Sequence, residues 1–263
     1  MINNIKLIDF AANIEMWWTN LPFVDRIEAA AKAGFSAIEI WDYQNKDIDA
    51  IAKALEKHNM VLTQFTAWGW DRWFNAPENE GAIIEQITEA CEIAKRLNCK
   101  MGTIVGGDDQ PGMTQNQMHE QIIKVLKTIA PIAEKNDFTL ILEPMNIRVD
   151  HEGHCLYGSN PGIKICNEVN SSHVKLNWDL YHMQISEGDL CGHLQDGIDQ
   201  IGYIQLADHP GRNEPGTGEI QYAKVLKQAR ALGYTGYFGL ECMPIESEKK
   251  AIDRIISIAP GIS

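Results

Sequence analysis

The sequence predicts an α/β protein folded as one (β/α)8 TIM barrel, and three observations carry that expectation. Eight short apolar runs alternate with eight amphipathic stretches along the 263 residues. Successive runs start roughly 23 to 40 residues apart, the size of one βα unit. No glycine follows the first run, where Phe10 leads into Ala-Ala-Asn-Ile-Glu, so the phosphate-binding turn of a doubly wound dinucleotide domain is missing. No linker, low-complexity tract or composition shift divides residues 1–263, which read as a single domain.

The expected strands are Ile5–Ala11, Ala37–Trp41, Met60–Thr66, Lys100–Val105, Phe138–Glu143, Val174–Asp179, Tyr203–Asp208 and Tyr237–Glu241. Each is short and mostly rich in Ile, Val, Leu, Phe or Tyr, the signature of a strand buried on both faces. Helices are expected over Phe23–Lys32, Asp47–His58, Ala82–Leu97, Gln115–Lys135, Gly162–Val169, Gly188–Gln200, Tyr222–Ala231 and Glu248–Ile258. There apolar residues recur at helical spacing, as in Ile122, Val125, Leu126 and Ile129. Thr114-Gln-Asn-Gln117 has the form of a capping box. Helix stops are expected at Ala33-Gly34, Leu97-Asn98 and Leu232-Gly233, where Gly or Asn takes a left-handed cap.

Composition narrows the function. Lys plus Arg is 23 against 36 Asp plus Glu, a formal net charge of −13. Without a dense basic run, such a chain repels a phosphate backbone, so no nucleic-acid partner is expected. Six cysteines are scattered without a CxxC pair and read as reduced, mostly buried thiols of a cytoplasmic protein. Neither a signal peptide nor a membrane-spanning segment is expected.

In a barrel of this kind, chemistry belongs at the C-terminal strand ends. Those positions hold Asn13, Glu39, Thr66, Glu143, Asp179, Gln205 and Glu241. Glu143, Asp179, Gln205 and Glu241 come from the last four strands, and three carboxylates with one amide oxygen converging there call for a cation. Oxygen donors suit one hard divalent ion, Mg2+ or Mn2+, with Co2+ also possible. His182, three residues past Asp179, reaches the same mouth. Arg212 sits on a Gly/Pro-rich loop after strand seven and is placed to clamp a carboxylate with two parallel donors. Trp68, Trp70, Trp73 and Phe74 follow strand three as a pocket wall or a packed loop underside, with Trp68 the candidate substrate contact.

Other motifs carry less. His151-Glu-Gly-His154 lacks the spacing of HExxH, and the glycines of Val105-Gly-Gly-Asp and Pro215-Gly-Thr-Gly lack the Lys-Ser/Thr of a P-loop. Gly-x-Ser-x-Gly is absent.

Leu142-Glu-Pro-Met-Asn-Ile-Arg148, Trp178-Asp-Leu-Tyr-His-Met-Gln184 with Glu187-Gly-Asp-Leu190, and the segment from Gln205 to Ile220 resemble the hydroxypyruvate isomerase family. So do Leu21-Pro-Phe-Val-Asp-Arg26, Ala33-Gly-Phe35 and Glu39. That family belongs to the xylose-isomerase-like barrels, which also include ketose 3-epimerases and endonucleases. The resemblance spans nearly the whole chain and is strongest from residue 138 onward. It implies Glu143 and Glu241 as the acid/base pair, Glu143, Asp179, Gln205 and Glu241 as metal positions, and His182 and Arg212 as substrate contacts. The departures fall in Thr66-Ala-Trp-Gly-Trp-Asp-Arg-Trp73, Trp178 and His209, positions expected to face the substrate.

The resemblance implies isomerisation of a small hydroxy-keto acid to its aldehyde isomer, of the hydroxypyruvate to tartronate semialdehyde type. On that resemblance a bound metal would act as a Lewis acid favouring the enediolate, and the two glutamates would move the proton. The alternatives are a ketose 3-epimerase, a DNA-repair endonuclease and a non-catalytic sugar-acid binding protein. The expected partner is the small-molecule substrate alone, with a homo-oligomer possible.

Overall fold

The computed structural model describes residues 7–69 and 72–258; Ile5 and Trp70, assigned above to strand one and the aromatic group, lie outside them. Among these described residues nine parallel strand segments form one sheet: β1 (Leu7–Asn13), β2 (Phe35–Glu39), β3 (Val61–Leu62), β4 (Phe65–Trp68), β5 (Met101–Val105), β6 (Thr139–Glu143), β7 (Val174–Asp179), β8 (Ile201–Gln205) and β9 (Phe238–Leu240). Among the described residues nine α-helices interleave with them: α1 (Asp25–Ala33), α2 (Ile48–His58), α3 (Glu80–Leu97), α4 (Gln115–Lys135), α5 (Ser159–Val169), α6 (Leu180–Ser186), α7 (Leu190–Gly197), α8 (Tyr222–Ala231) and α9 (Glu248–Ile258). The fold is the expected TIM barrel.

The sheet order runs β3-β2-β1-β9-β8-β7-β6-β5-β4, so its two ends are consecutive in the chain. β3 and β4 are therefore two halves of one stave, the expected Met60–Thr66 strand broken at Thr63 and Gln64. β3 pairs with β2 and β4 with β5. The break is bridged by Ile40 N–H on the Gln64 carbonyl (3.3 Å) and Thr66 N–H on the Trp41 carbonyl (3.3 Å). Eight staves close the barrel.

Local signals act as the sequence indicated. Thr114 and Gln117 cap α4 reciprocally, and Gly34, Asn98 and Gly233 take left-handed backbone where helices stop. The apolar faces of the helices pack on the outward faces of the strands in one core, through Ile27, Ile51, Ile87, Ile122 and Leu226 among others. All six cysteines are free, five of them buried. Among the described residues no helix is long and apolar enough to cross a membrane. The expected Gly188–Gln200 helix is shorter, as α7 followed by a 3-10 turn, and α6 is an added helix opened by Asp179 itself.

Inside the barrel, alternation along the strands brings polar residues into the interior. Asn13, Glu39, Thr103, Glu143, Asn177, Asp179 and Gln205 are all buried. Gly239 is required by this arrangement. A Cβ there would lie 2.2 Å from Glu39 Oε2 and 2.7 Å from the Tyr203 hydroxyl, so only glycine lets Glu39 reach across the lumen.

Candidate active site

Glu143 and Glu241 are held by side chains from neighbouring staves, and Asp179 by the start of the helix that follows it. Glu143 ends β6 and accepts from Asn177 Nδ2 (3.1 Å). The same Asn177 group donates to Gln205 Oε1 (2.5 Å), which ties β6, β7 and β8 together. Gln205 Nε2 donates in turn to Glu39 Oε1 (2.9 Å), so both ends of that amide are fixed. Asn13 Nδ2 bridges Glu39 Oε1 (3.0 Å) and Glu241 Oε1 (3.4 Å). A polar chain therefore runs from Glu143 through Asn177, Gln205, Glu39 and Asn13 to Glu241.

Asp179 ends β7 and caps α6, its Oδ1 accepting from Tyr181 N–H (2.7 Å). Oδ2 faces the site without a hydrogen-bond partner. α6 then carries His182 back over the mouth, with Nε2 3.5 Å from Asp179 Oδ2 and 3.7 Å from Glu143 Oε1. Arg212 arrives on the loop after β8, the strand next to β7. Its Nη2 donates to Glu241 Oε2 (2.8 Å) and lies 4.0 Å from Asp179 Oδ2, while its guanidinium sits over the Tyr181 ring at 5.2 Å. The Arg212 Nε is buried and unpartnered.

The loop that presents Arg212 is organised by Asp208. Its two oxygens collect four backbone N–H groups, from His209 (3.0 Å), Gly216 (2.8 Å), Thr217 (3.1 Å) and Ile220 (3.1 Å). Gly211 and Arg212 both take left-handed backbone, φ 105° and 54°, which turns the guanidinium inward. The loop is anchored again where Glu214 pairs with Arg254 of α9 and accepts from Ile245 N–H.

Burial governs the electrostatics. It pushes the Glu143 carboxyl well above the ordinary range, and the nearby charges of Glu241 and Asp179 push the same way against Arg212 and Asn177. Asp179 is raised to about 7, first by burial, with Arg212 opposing and Glu241 reinforcing. His182 is pushed far below its usual value by burial, then by Arg212, and stays neutral. Burial also works against charge on Arg212, yet Glu241, Asp179 and Glu143 together hold its proton more tightly than usual.

The structure thus brings Glu143, Asp179, Gln205, Glu241, His182 and Arg212 to one mouth. Ligand atoms of Glu143, Asp179 and His182 lie within 4.8 Å of one another. Two of those atoms, Asp179 Oδ2 and His182 Nε2, are buried without hydrogen bonds, and orphaned carboxylate oxygen fits a cation. A cavity of about 10 Å³ at the mouth is lined by Trp41, Gln64, Thr103, Glu143, Gln205 and Glu241 among others. A wider groove of about 810 Å³ opens on the opposite face beside α2 and α3, with Asp49, Lys53, Glu56 and Arg96 among its lining. Those are exposed charges of an ordinary solvated surface.

Trp68 is placed differently from its neighbours in sequence. A bulge sets Thr66 beside Thr103 but Trp68 beside Ile104, which turns the indole to the outer, apolar face. There it is fully buried, its N–H on the Arg72 carbonyl (2.6 Å) and its ring edge-on to Phe74. Trp41, absent from the sequence-based candidates, takes the mouth position instead and donates its indole N–H to Glu241 Oε1 (2.6 Å). Its position directly after β2, two residues past the inward Glu39, was the available signal. Trp68→Phe is expected to lower stability by about 1 kcal/mol, the scale of one hydrogen bond, and to leave KM unchanged. A thermal melt beside steady-state kinetics checks this; a raised KM with an unchanged melt would make Trp68 a substrate contact.

A parallel (β/α)8 barrel whose C-terminal strand ends gather buried carboxylates and an arginine has the architecture of a TIM-barrel enzyme. Residues 27–258 match the family model described as the xylose isomerase-like TIM barrel. The chain belongs to that family and is an isomerase. It is 30% identical over 244 residues to hydroxypyruvate isomerase of Escherichia coli, covering 90% of this chain and 94% of the relative. It is 31% identical over 242 residues to 2-oxo-tetronate isomerase of Cupriavidus necator, covering 89% and 92%. A crystal structure described as AP endonuclease, family 2 from Brucella melitensis superposes with a TM-score of 0.90 at 26% identity, covering 95% of this chain and 98% of that one.

Proposed function

We propose that the protein isomerises a small hydroxy-keto acid to its aldehyde isomer, with Glu143 and Glu241 moving the proton between adjacent carbons. The observation that carries this reading is Arg212, whose guanidinium sits between Asp179 and Glu241 with its Nε donor unpartnered. A carboxylated substrate gives that donor an acceptor, with Nε and one Nη forming a parallel fork. The similarity to hydroxypyruvate and 2-oxo-tetronate isomerases agrees, since both names describe keto acids.

Glu143 and Glu241 stand on staves five and eight, in unequal surroundings. Glu143 is crowded by other carboxylates, whereas Glu241 is held by N–H donors from Trp41, Asn13 and Arg212. Such a difference suits one group that gives a proton and one that takes it. Glu143, Asp179, Gln205 and Glu241 would hold one divalent ion, Mg2+, Mn2+ or Co2+, their donors being oxygen throughout. When bound, the ion supplies Lewis acidity toward the carbonyl. Asn177 and Glu39 keep the Gln205 carbonyl oxygen turned toward Glu143, and Trp41 and Asn13 keep Glu241 from swinging away.

The test is a panel of hydroxypyruvate, 2-oxo-tetronate and a free ketohexose, with products followed by NMR on metal-loaded protein. Turnover of a keto acid supports the reading. Efficient 3-epimerisation of the ketohexose with both keto acids untouched, or cleavage of DNA carrying an abasic site, overturns it. On the active keto acid, Arg212→Lys is expected to raise KM by about tenfold or more, the scale of one charge-assisted hydrogen bond, with a smaller fall in kcat. A neutral ketose substrate would feel that change much less.

A further inference from the structure

We propose that Asn146 is a positioning residue that fixes the proton of neutral His182 on Nε2, so that the ring brings an N–H donor, not a lone pair, to the space between Glu143 and Asp179. This rests on the same mouth being the isomerase site.

Asn146 lies three residues past Glu143 and is fully buried, as is His182. The two ends of its amide are distinguished by their neighbours. Oδ1 faces the backbone N–H groups of Val149 (3.0 Å) and Asp150 (3.2 Å), which require an acceptor. Nδ2 faces Asp150 Oδ2 (2.8 Å), an acceptor that requires a donor. Rotating the amide by half a turn would set NH2 against two N–H groups and oxygen against a carboxylate, losing all three bonds. The second hydrogen on Nδ2 then points at His182 Nδ1, 2.7 Å away. Nδ1 must offer a lone pair to receive it, and a neutral imidazole with a lone pair on Nδ1 carries its hydrogen on Nε2.

Nε2 is the atom that has no hydrogen-bond partner and stands 3.5 Å and 3.7 Å from the oxygens of Asp179 and Glu143. Proximity groups His182 with those two carboxylates as a metal-ligand set. The tautomer removes it from that set, because a protonated nitrogen cannot coordinate. It makes His182 instead the donor to a substrate oxygen. The rings of His151 and Tyr181, centred 5.3 Å and 5.4 Å away, hold the imidazole plane while Asn146 sets its polarity.

The tautomer is read directly from ring 15N–1H correlation spectra of 15N-labelled, metal-free protein, with His182 assigned by its loss in His182→Gln. The wild type is expected to show protonated Nε2 and bare Nδ1. In Asn146→Asp/Asp150→Asn the amide at 150 supplies the donor and the carboxylate at 146 only accepts, so the proton is expected to move to Nδ1. With it, kcat should fall about 10- to 100-fold, the cost typical of a lost orienting partner, while KM moves much less. An Asn146 that only stabilised the loop would lower the melting temperature without moving the proton. Protonated Nδ1 in the wild type overturns the proposal, and that spectrum decides even if the double variant does not fold. A double variant that keeps Nε2–H, or that exchanges tautomer at unchanged kcat, also overturns it. The spectra need no substrate, so a failed keto-acid panel leaves this result standing and the reverse holds too.

Discussion

Glu143→Gln and Glu241→Gln are each expected to fold and to lose at least about a hundredfold in turnover, the usual worth of a positioned acid or base. The fold should survive for reasons that differ between the two. Glu143 is destabilised as an anion by burial and by Glu241 and Asp179, so an amide relieves repulsion and can still accept from Asn177. Glu241 accepts from Trp41 and Asn13 on one oxygen and from Arg212 on the other, and an amide satisfies only one side. Glu241→Gln is therefore the less stable of the pair. Solvent deuterium entering the unreacted substrate separates their roles. If one glutamate removes the proton in the forward direction, its variant should show no wash-in from that side, while the other variant still exchanges. Near-full turnover in either variant would mean that two-glutamate proton transfer is wrong.

Much of this site can be read along the chain because a barrel converts strand ends into neighbours. Glu143, Asp179 and Gln205 close β6, β7 and β8, and Glu241 directly follows β9, so alternation alone puts them at one mouth. Positions that depend on barrel closure and not on period are not legible along the chain. The Met60–Thr66 run is continuous in sequence, yet it breaks at Thr63 and Gln64 because that stave must pair with β2 below and β5 above. Trp68 has the parity of an inward residue, and a single bulge turns it outward, which no local pattern announces. Trp41 and Arg212 reach Glu241 across 200 and 29 residues, contacts that only the folded barrel supplies. Asn146 was visible in Leu142-Glu-Pro-Met-Asn, but its role needs the loop that turns Val149 and Asp150 back onto it.

Removal of divalent metal is expected to abolish turnover, and Mg2+, Mn2+ or Co2+ to restore it. The physical ground is the charge already in the mouth. Glu143 and Asp179 both bind protons more readily than usual, first because burial disfavours their anions and then because of Glu241, which acts on both; Arg212 reaches Glu241 more closely than Asp179. A divalent cation offsets that repulsion, so it should stabilise the fold as well as the reaction. At about a hundredfold excess over Kd, binding contributes about 2.7 kcal/mol, visible as a rise of several degrees in the melting temperature. Asp179→Asn keeps an oxygen for the Tyr181 N–H at the start of α6 but places an amide where Oδ2 faces the site, next to Arg212. Its melt should respond to Mn2+ only at concentrations at least about tenfold higher, the smaller end of the loss seen when even an orienting partner of a metal site is removed. Calorimetric titration gives the stoichiometry, expected as one ion per chain. Two or three tightly held zinc ions per chain by elemental analysis would overturn the single-ion site, and full activity in chelator-treated protein would show that Glu143, Glu241 and Arg212 carry the reaction without it.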